Sequence, residues 1–179
     1  MIPVGVLLAV LIGKLRGGSL AGIKNLELKA VPLIWAALLL RIAVSKLGDY
    51  GLQLPWLQVL AYLIFFYALI LNFKIPGLKI FALGSFLNFL AIIANGGTMP
   101  VSAAAIAYSG VNYGEPTGGL HSLLTEETRL AFLTDIIPLR PPYFPLAQVV
   151  SIGDILIIIG IFYFIQRQML DRRDLLVLD

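Results

Sequence analysis

A single carboxylate interrupts the apolar run VVSIGDILIIIGIFYFIQRQ: Asp154, between Val149 and Gln168. An ionised acid is costly in hydrocarbon, so such a group pairs, faces a wet cavity or caps a helix. Three more polar side chains have similar surroundings: Arg41 in LIWAALLLRIAVSK, and Asn88 and Asn95 in GSFLNFLAIIANGG. Gly84, Asn88, Ala91 and Asn95 recur at i, i+4, i+7 and i+11, one helical face of small and polar residues. Such a face allows close helix packing and amide hydrogen bonds, or it contacts a ligand. Counting 1.5 Å per residue, Asp154 lies about 13 Å from Pro145, Asn88 about 10 Å from Asn95 and Arg41 about 7 Å from Lys46, so the three can share one level. They are expected to form a polar cluster opening to one side of a bundle.

Blander roles compete for each residue. Arg41 can extend along its helix to headgroups. SIGD reads as a capping box, with Ser151 at the N-cap and Asp154 three residues on, which would start the helix lower and place the carboxylate at its positive end. His121, the one histidine, sits in GGLHSLLTEETRLAFLTD with Arg129 and Asp135, which can hold a loop together, meet an anionic headgroup or join the cluster. No H-E-x-x-H spacing and no cysteine occurs, so no metal site is expected. Phosphate-loop, dinucleotide and G-x-S-x-G motifs are also lacking, and no cofactor is expected.

The elements that would position these residues are membrane helices. Of 179 residues, 59% are hydrophobic and only 13% charged, against roughly 25% charged in soluble domains. The fold class expected is all-α, a single-domain polytopic bundle of about five spans, over residues 2–15, 31–45, 54–72, 80–95 and 146–166. Lys14, Arg16, Lys24, Lys29, Lys74, Lys79, Arg167, Arg172 and Arg173 fall on one side of these spans; Arg41, Lys46, Arg129 and Arg140 fall on or toward the other. That bias places the N-terminus outside and the C-terminus inside, with the net charge of +3 a topology signal and not a sign of nucleic-acid binding. Trp56 and Tyr143 fall at the outer interface.

Residues 96–145 form a long, proline- and glycine-rich outer segment, read as a partly helical cap. Ser102 is expected to cap a short alanine-rich helix. Thr125 is expected to cap a second one, carrying Leu123, Leu130, Leu133 and Ile137 at helical spacing.

In order along the chain, LRGG, LNFLAIIANGGTMPVS, TRLAFLTDIIPL and VVSIGDILIIIGIFYF resemble a family of small bacterial integral membrane proteins of unknown function. The resemblance covers the whole chain and implies a bacterial cytoplasmic (inner) membrane location. Locally, YFPLAQVVSIGDILIIIG is similar to the last-helix motif of lipoprotein signal peptidases, which implies Asp154 as one of two catalytic aspartates. The partner acid of that family sits in an N-x-x-D-R motif on the preceding span, where this chain has Asn88 and Asn95 and no acid; Asp135 is the remaining outer candidate. The function expected is binding of a lipid-soluble ligand or an accessory role beside a membrane-protein partner, with membrane lipids as neighbours. Two alternatives stand: an aspartate-dependent intramembrane hydrolase using Asp154 and Asp135, and a small-solute or lipid transporter running along the Asn88 stripe.

Overall fold

The computed structural model describes residues 1–24, 26–52, 54–111 and 120–170. Within them the chain is mostly helical, with seven α-helices: α1 (Ile2–Leu15), α2 (Ala21–Lys24), α3 (Val31–Asp49), α4 (Pro55–Leu71), α5 (Leu78–Ala94), α6 (Ala103–Ser109) and α7 (Ile152–Met169). Proline in the first turn begins α1, α3 and α4, where the missing N–H has no intrahelical partner to lose. The five long helices pack as a row in the order α1, α7, α5, α4, α3, and α2 leans on α7. Of the five, α3 and α7 are long and apolar enough to cross a membrane; α1, α4 and α5 are shorter apolar helices. Arg172 and Arg173 lie outside the described residues.

Polar side chains tie the row together at the end away from the cap. Gln166 on α7 accepts from Arg16 at 2.9 Å and donates to the Ala9 carbonyl at 2.6 Å. Asn72, after α4, accepts from Lys29 N at 2.8 Å and donates to the Lys29 carbonyl at 2.9 Å. Both are buried, so each bond satisfies a group that water does not reach.

At the other end the chain turns through Gly96 and Gly97, both at positive φ, and builds a small cap. Four three-residue strands, β1 (Met99–Val101), β2 (His121–Leu123), β3 (Ile137–Leu139) and β4 (Gln148–Val150), form two pairs. β1 and β2 run parallel with Met99 opposite His121; β3 and β4 run antiparallel with Ile137 opposite Val150. Asp135 is fixed beside β1 by both backbone groups: its N–H donates to Pro100 at 3.0 Å and its carbonyl accepts from Ser102 at 2.9 Å. Ser102 caps α6, accepting from Ala105 N at 3.3 Å, as its position before the alanine run predicts.

Two expectations need correction. The second cap helix does not form. Thr125 and Thr128 close a turn, Leu130 takes a left-handed conformation at φ 51, a single 3-10 turn spans Ala131–Leu133, and β3 follows. Leu133 is buried while Leu123 and Leu130 are exposed, so the spaced leucines share no face. Pairing with β4 and bridging to β1 override the local periodicity. The last helix begins at Ile152, not near residue 146, because 148–150 are committed to β4 and Ser151 sets the start. Asp154 therefore occupies the first turn of α7, and a depth counted from Pro145 does not apply.

Candidate functional site

Ser151 makes the full capping box: its hydroxyl accepts from Asp154 N at 3.0 Å, and the Asp154 carboxylate accepts from Ser151 N at 3.2 Å. Asn88 on α5 closes the set. Its Nδ2 donates to Asp154 Oδ1 at 2.8 Å, while its Oδ1 accepts from the Ser151 hydroxyl at 2.7 Å. Every polar atom of the Asn88 amide thus works across the α5–α7 contact, and Asp154 takes N–H donors on both oxygens, the pattern of a carboxylate anion.

This contact exists because both helices carry glycine there. A Cβ on Gly153 would lie 2.1 Å from Asn88 Oδ1 and 2.6 Å from the Gly84 carbonyl; one on Gly84 would lie 2.4 Å from the Gly153 carbonyl. The same close approach recurs farther along, where a Cβ on Gly160 would lie 2.5 Å from Phe81 N. Past Asn88, toward the end away from the cap, the stripe is backbone packed on backbone.

On the cap side of Asn88 lies a pocket with about 120 Å³ of room, lined by Arg41 from α3, Gln58 and Tyr62 from α4, Asn88 from α5, His121 and Asp135 from the cap and Asp154 from α7. Ile92, Met99 and Leu120 supply its apolar wall. Arg41 sits over the Tyr62 ring, 4.6 Å from its centroid, a cation–π arrangement between two lining residues. His121 Nε2 is 3.8 Å from Asp135 Oδ2.

Two lining side chains are buried without full partners. Gln58 is 1% exposed, and neither its amide oxygen nor its amide nitrogen has a hydrogen-bond partner; Asp135 is 5% exposed and its Oδ1 has none. Burial, and then the negative charge of Asp154, push the Asp135 carboxyl up to about 8. His121 is held below its ordinary value, chiefly by burial, with Asp154 acting the opposite way and Arg41 reinforcing it. At neutral pH Asp135 is therefore a protonated acid and His121 a neutral imidazole.

The structure brings Arg41, Asn88, His121, Asp135 and Asp154 to one pocket and leaves out two other candidates. Asn95 donates to the carbonyls of Ala91 at 2.7 Å and Arg129 at 2.8 Å, and accepts from Arg129 N at 2.8 Å. That pair latches the cap backbone onto the end of α5, and the Arg129 side chain is exposed. Sequence reasoning missed Gln58 and Tyr62. The available signal was their i, i+4 spacing in PWLQVLAYL, where Gln58 is the one amide in the run. Among the described residues no three His, Asp or Glu side chains are grouped to hold a metal ion.

Fold and site together define a small, mostly helical protein with apolar long helices and a polar pocket between them and a strand-containing cap. The chain belongs to DUF5317, a family of unknown function, whose model matches residues 25–166 and so spans every residue of the pocket. It is also similar to an uncharacterized protein of the bacterium Thermotoga maritima, 30% identical over 166 residues, covering 90% of this chain and 85% of that protein. No solved structure matches.

Proposed function

We propose that this is a five-span protein of the bacterial cytoplasmic membrane, cap outside and C-terminus inside, that binds the polar part of a ligand in the pocket beneath the cap. Its neighbours would be membrane lipids, with a membrane-protein partner if the role is accessory. Large apolar side chains stand exposed on every long helix, among them Leu7 on α1, Leu39 on α3, Leu63 on α4, Leu83 on α5 and Ile159 on α7, which suits lipid and would be a liability in water. With 14 residues α1 is about 21 Å long, short of the ~30 Å hydrocarbon core, so a five-span arrangement implies local thinning there. The carrying observation for ligand binding is Gln58: a buried amide with neither atom paired costs free energy unless something polar meets it.

Purification in a mild detergent followed by native mass spectrometry tests this reading. Wild type should carry a bound small molecule or lipid that Gln58→Leu loses at least about tenfold, while Gln58→Leu unfolds at the same or a higher temperature because an unpaired buried amide has been removed. Identical bound masses in both proteins would end the proposal.

A second reading, an aspartate-dependent hydrolase, draws support from Asp135 and Asp154 lining one pocket, Asp135 with its carboxyl pushed up to about 8 and Asp154 accepting an N–H on each oxygen. Asp154 would take a proton from water as it attacks a carbonyl, and Asp135 would give its proton to the carbonyl oxygen or leaving group. In nanodiscs with a fluorogenic lipopeptide, Asp154→Asn and Asp135→Asn should each lower turnover by at least about a hundredfold; wild type without turnover leaves binding as the function. The transporter reading is not favoured, because past Asn88 the α5 and α7 backbones meet at Gly84 and Gly153.

A further inference from the structure

The charges around the pocket restrict what it can accept. Asp135 faces His121 from β2, Asp154 from α7, Arg41 from α3 and the Tyr62 hydroxyl and Gln58 amide from α4. Arg41 and Asp154 offset each other, and Asp135 stays neutral by keeping its proton. A ligand bringing net negative charge would meet the Asp154 carboxylate and hold Asp135 in its protonated form, while the pocket's other basic group beside Arg41, His121, is held below its ordinary value by burial and by Arg41. A ligand bringing positive charge meets the reverse situation. It can take the place of the Asp135 proton, and the pocket gains a carboxylate as it gains the cation.

The unpartnered atoms agree with this. An ammonium has three N–H donors and no acceptor. Gln58 Oε1 and Asp135 Oδ1 are buried acceptors without donors, and Asp154, whose oxygens each take one N–H, has further lone pairs. Arg41, on the same pocket, supplies a site for an anionic group on the same ligand, to which the unpaired Gln58 Nε2 can also donate.

We propose that the pocket selects a primary ammonium, seated among Gln58, Asp135 and Asp154, on a cationic or zwitterionic ligand whose anionic part faces Arg41. Binding transfers one proton from the Asp135 carboxyl to solvent and forms the ammonium–carboxylate pair. This rests on the pocket being a binding site, as argued above. The chemistry fits the headgroup of a zwitterionic amino-phospholipid or a soluble amine.

The test uses the full chain in a non-ionic detergent with three probes: lyso-phosphatidylethanolamine, lyso-phosphatidylglycerol of the same acyl chain, and ethanolamine. At hundredfold excess over its Kd, the amine lysolipid should raise the unfolding temperature by about 5 °C or more, and the glycerol lysolipid should do far less. In weak buffer at pH 7 nearly one proton per protein should be released on binding, falling toward none at pH 9. Asp135→Asn should abolish the proton release and the preference between the two lysolipids. A response to ethanolamine alone assigns a soluble amine, and a response confined to the lysolipid assigns a headgroup; either supports the proposal. Equal or greater stabilisation by the glycerol lysolipid, no response to any probe, or an amine preference that survives Asp135→Asn overturns it. If a copurified molecule is still lost on Gln58→Leu in those cases, the pocket is a binding site for something other than an amine; if none is, the binding reading falls as well.

Discussion

Asp135→Asn raises the unfolding temperature of the protein at pH 7 and removes a pH dependence that the wild type shows. In the fold the Asp135 carboxyl titrates at about 8, against a reference value of 3.8, so folding at neutral pH takes up a proton. For an acid raised in this way, stability is fully present below about pH 4 and declines as pH rises through about 8, by at most about 1.4 kcal/mol per unit. At pH 7 the accumulated loss is on the order of 4 kcal/mol. Asparagine needs no proton and has nearly the same shape. The backbone bonds that hold residue 135, to Pro100 and from Ser102, do not involve the side chain. Thermal unfolding followed by tryptophan fluorescence from pH 5 to pH 9 should therefore show wild type losing stability relative to Asp135→Asn, the two separating as pH rises, while the loss on the acid side that His121 brings to both proteins cancels in the difference. Parallel curves would mean that Asp135 is not desolvated in the fold.

A side chain that lowers stability at the pH of use and is nonetheless buried in a polar pocket is the pattern expected where function and stability compete. The ammonium proposed above would relieve the same cost that asparagine relieves, so a saturating amine ligand should narrow the gap between the two proteins at pH 8.

Much of this arrangement can be read from the chain, and the part that cannot has a common cause. The apolar runs end at proline or glycine, so α1, α4 and α5 lie within about two residues of where periodicity places them. Ser151 and Asp154 announce a capping box three residues apart, and Asn88 stands on the small-residue face that meets α7. These are local signals. The meeting of His121 and Asp135 is not local: it depends on a parallel pairing between Met99 and His121 and on a bridge from Val101 to Asp135, through strands of three residues each. Strands so short leave no alternation to detect, and the leucine spacing from Leu123 to Ile137 argues for a helix that the pairing excludes. Gln58 was hidden differently. One amide in an apolar helix reads as interhelical glue, and only the fold shows that α4 turns it into the pocket without a partner.

Gly153→Ala should cause a large loss of stability. The new Cβ would fall 2.1 Å from Asn88 Oδ1, 2.6 Å from the Gly84 carbonyl and 2.7 Å from Asn88 Cγ. The Gly84 oxygen is backbone and moves only with its helix. Asn88 can move only by giving up its bonds to Asp154 and to Ser151, leaving a carboxylate and a hydroxyl with one donor or acceptor fewer. Overpacking of a close helix contact costs about 1–3 kcal/mol, and losing the hydrogen bond to the half-buried Asp154 carboxylate adds about 1.5–3 kcal/mol. Each kcal/mol lowers the unfolding temperature by about 2–4 °C in a chain of this size, so a drop of about 5 °C or more is expected. Gly84→Ala attacks the same contact from the other helix, meeting the Gly153 carbonyl at 2.4 Å. The double variant should then be less damaging than the sum of the two, because the helices need separate only once. Ala43→Leu, on the exposed face of α3, is the control and should change little. Unfolding of Gly153→Ala within about 2 °C of wild type, no more than the least shift that overpacking alone predicts, would show that α5 and α7 do not touch at this level. The Asn88–Asp154 bond, and the floor it gives the pocket, would go with that contact.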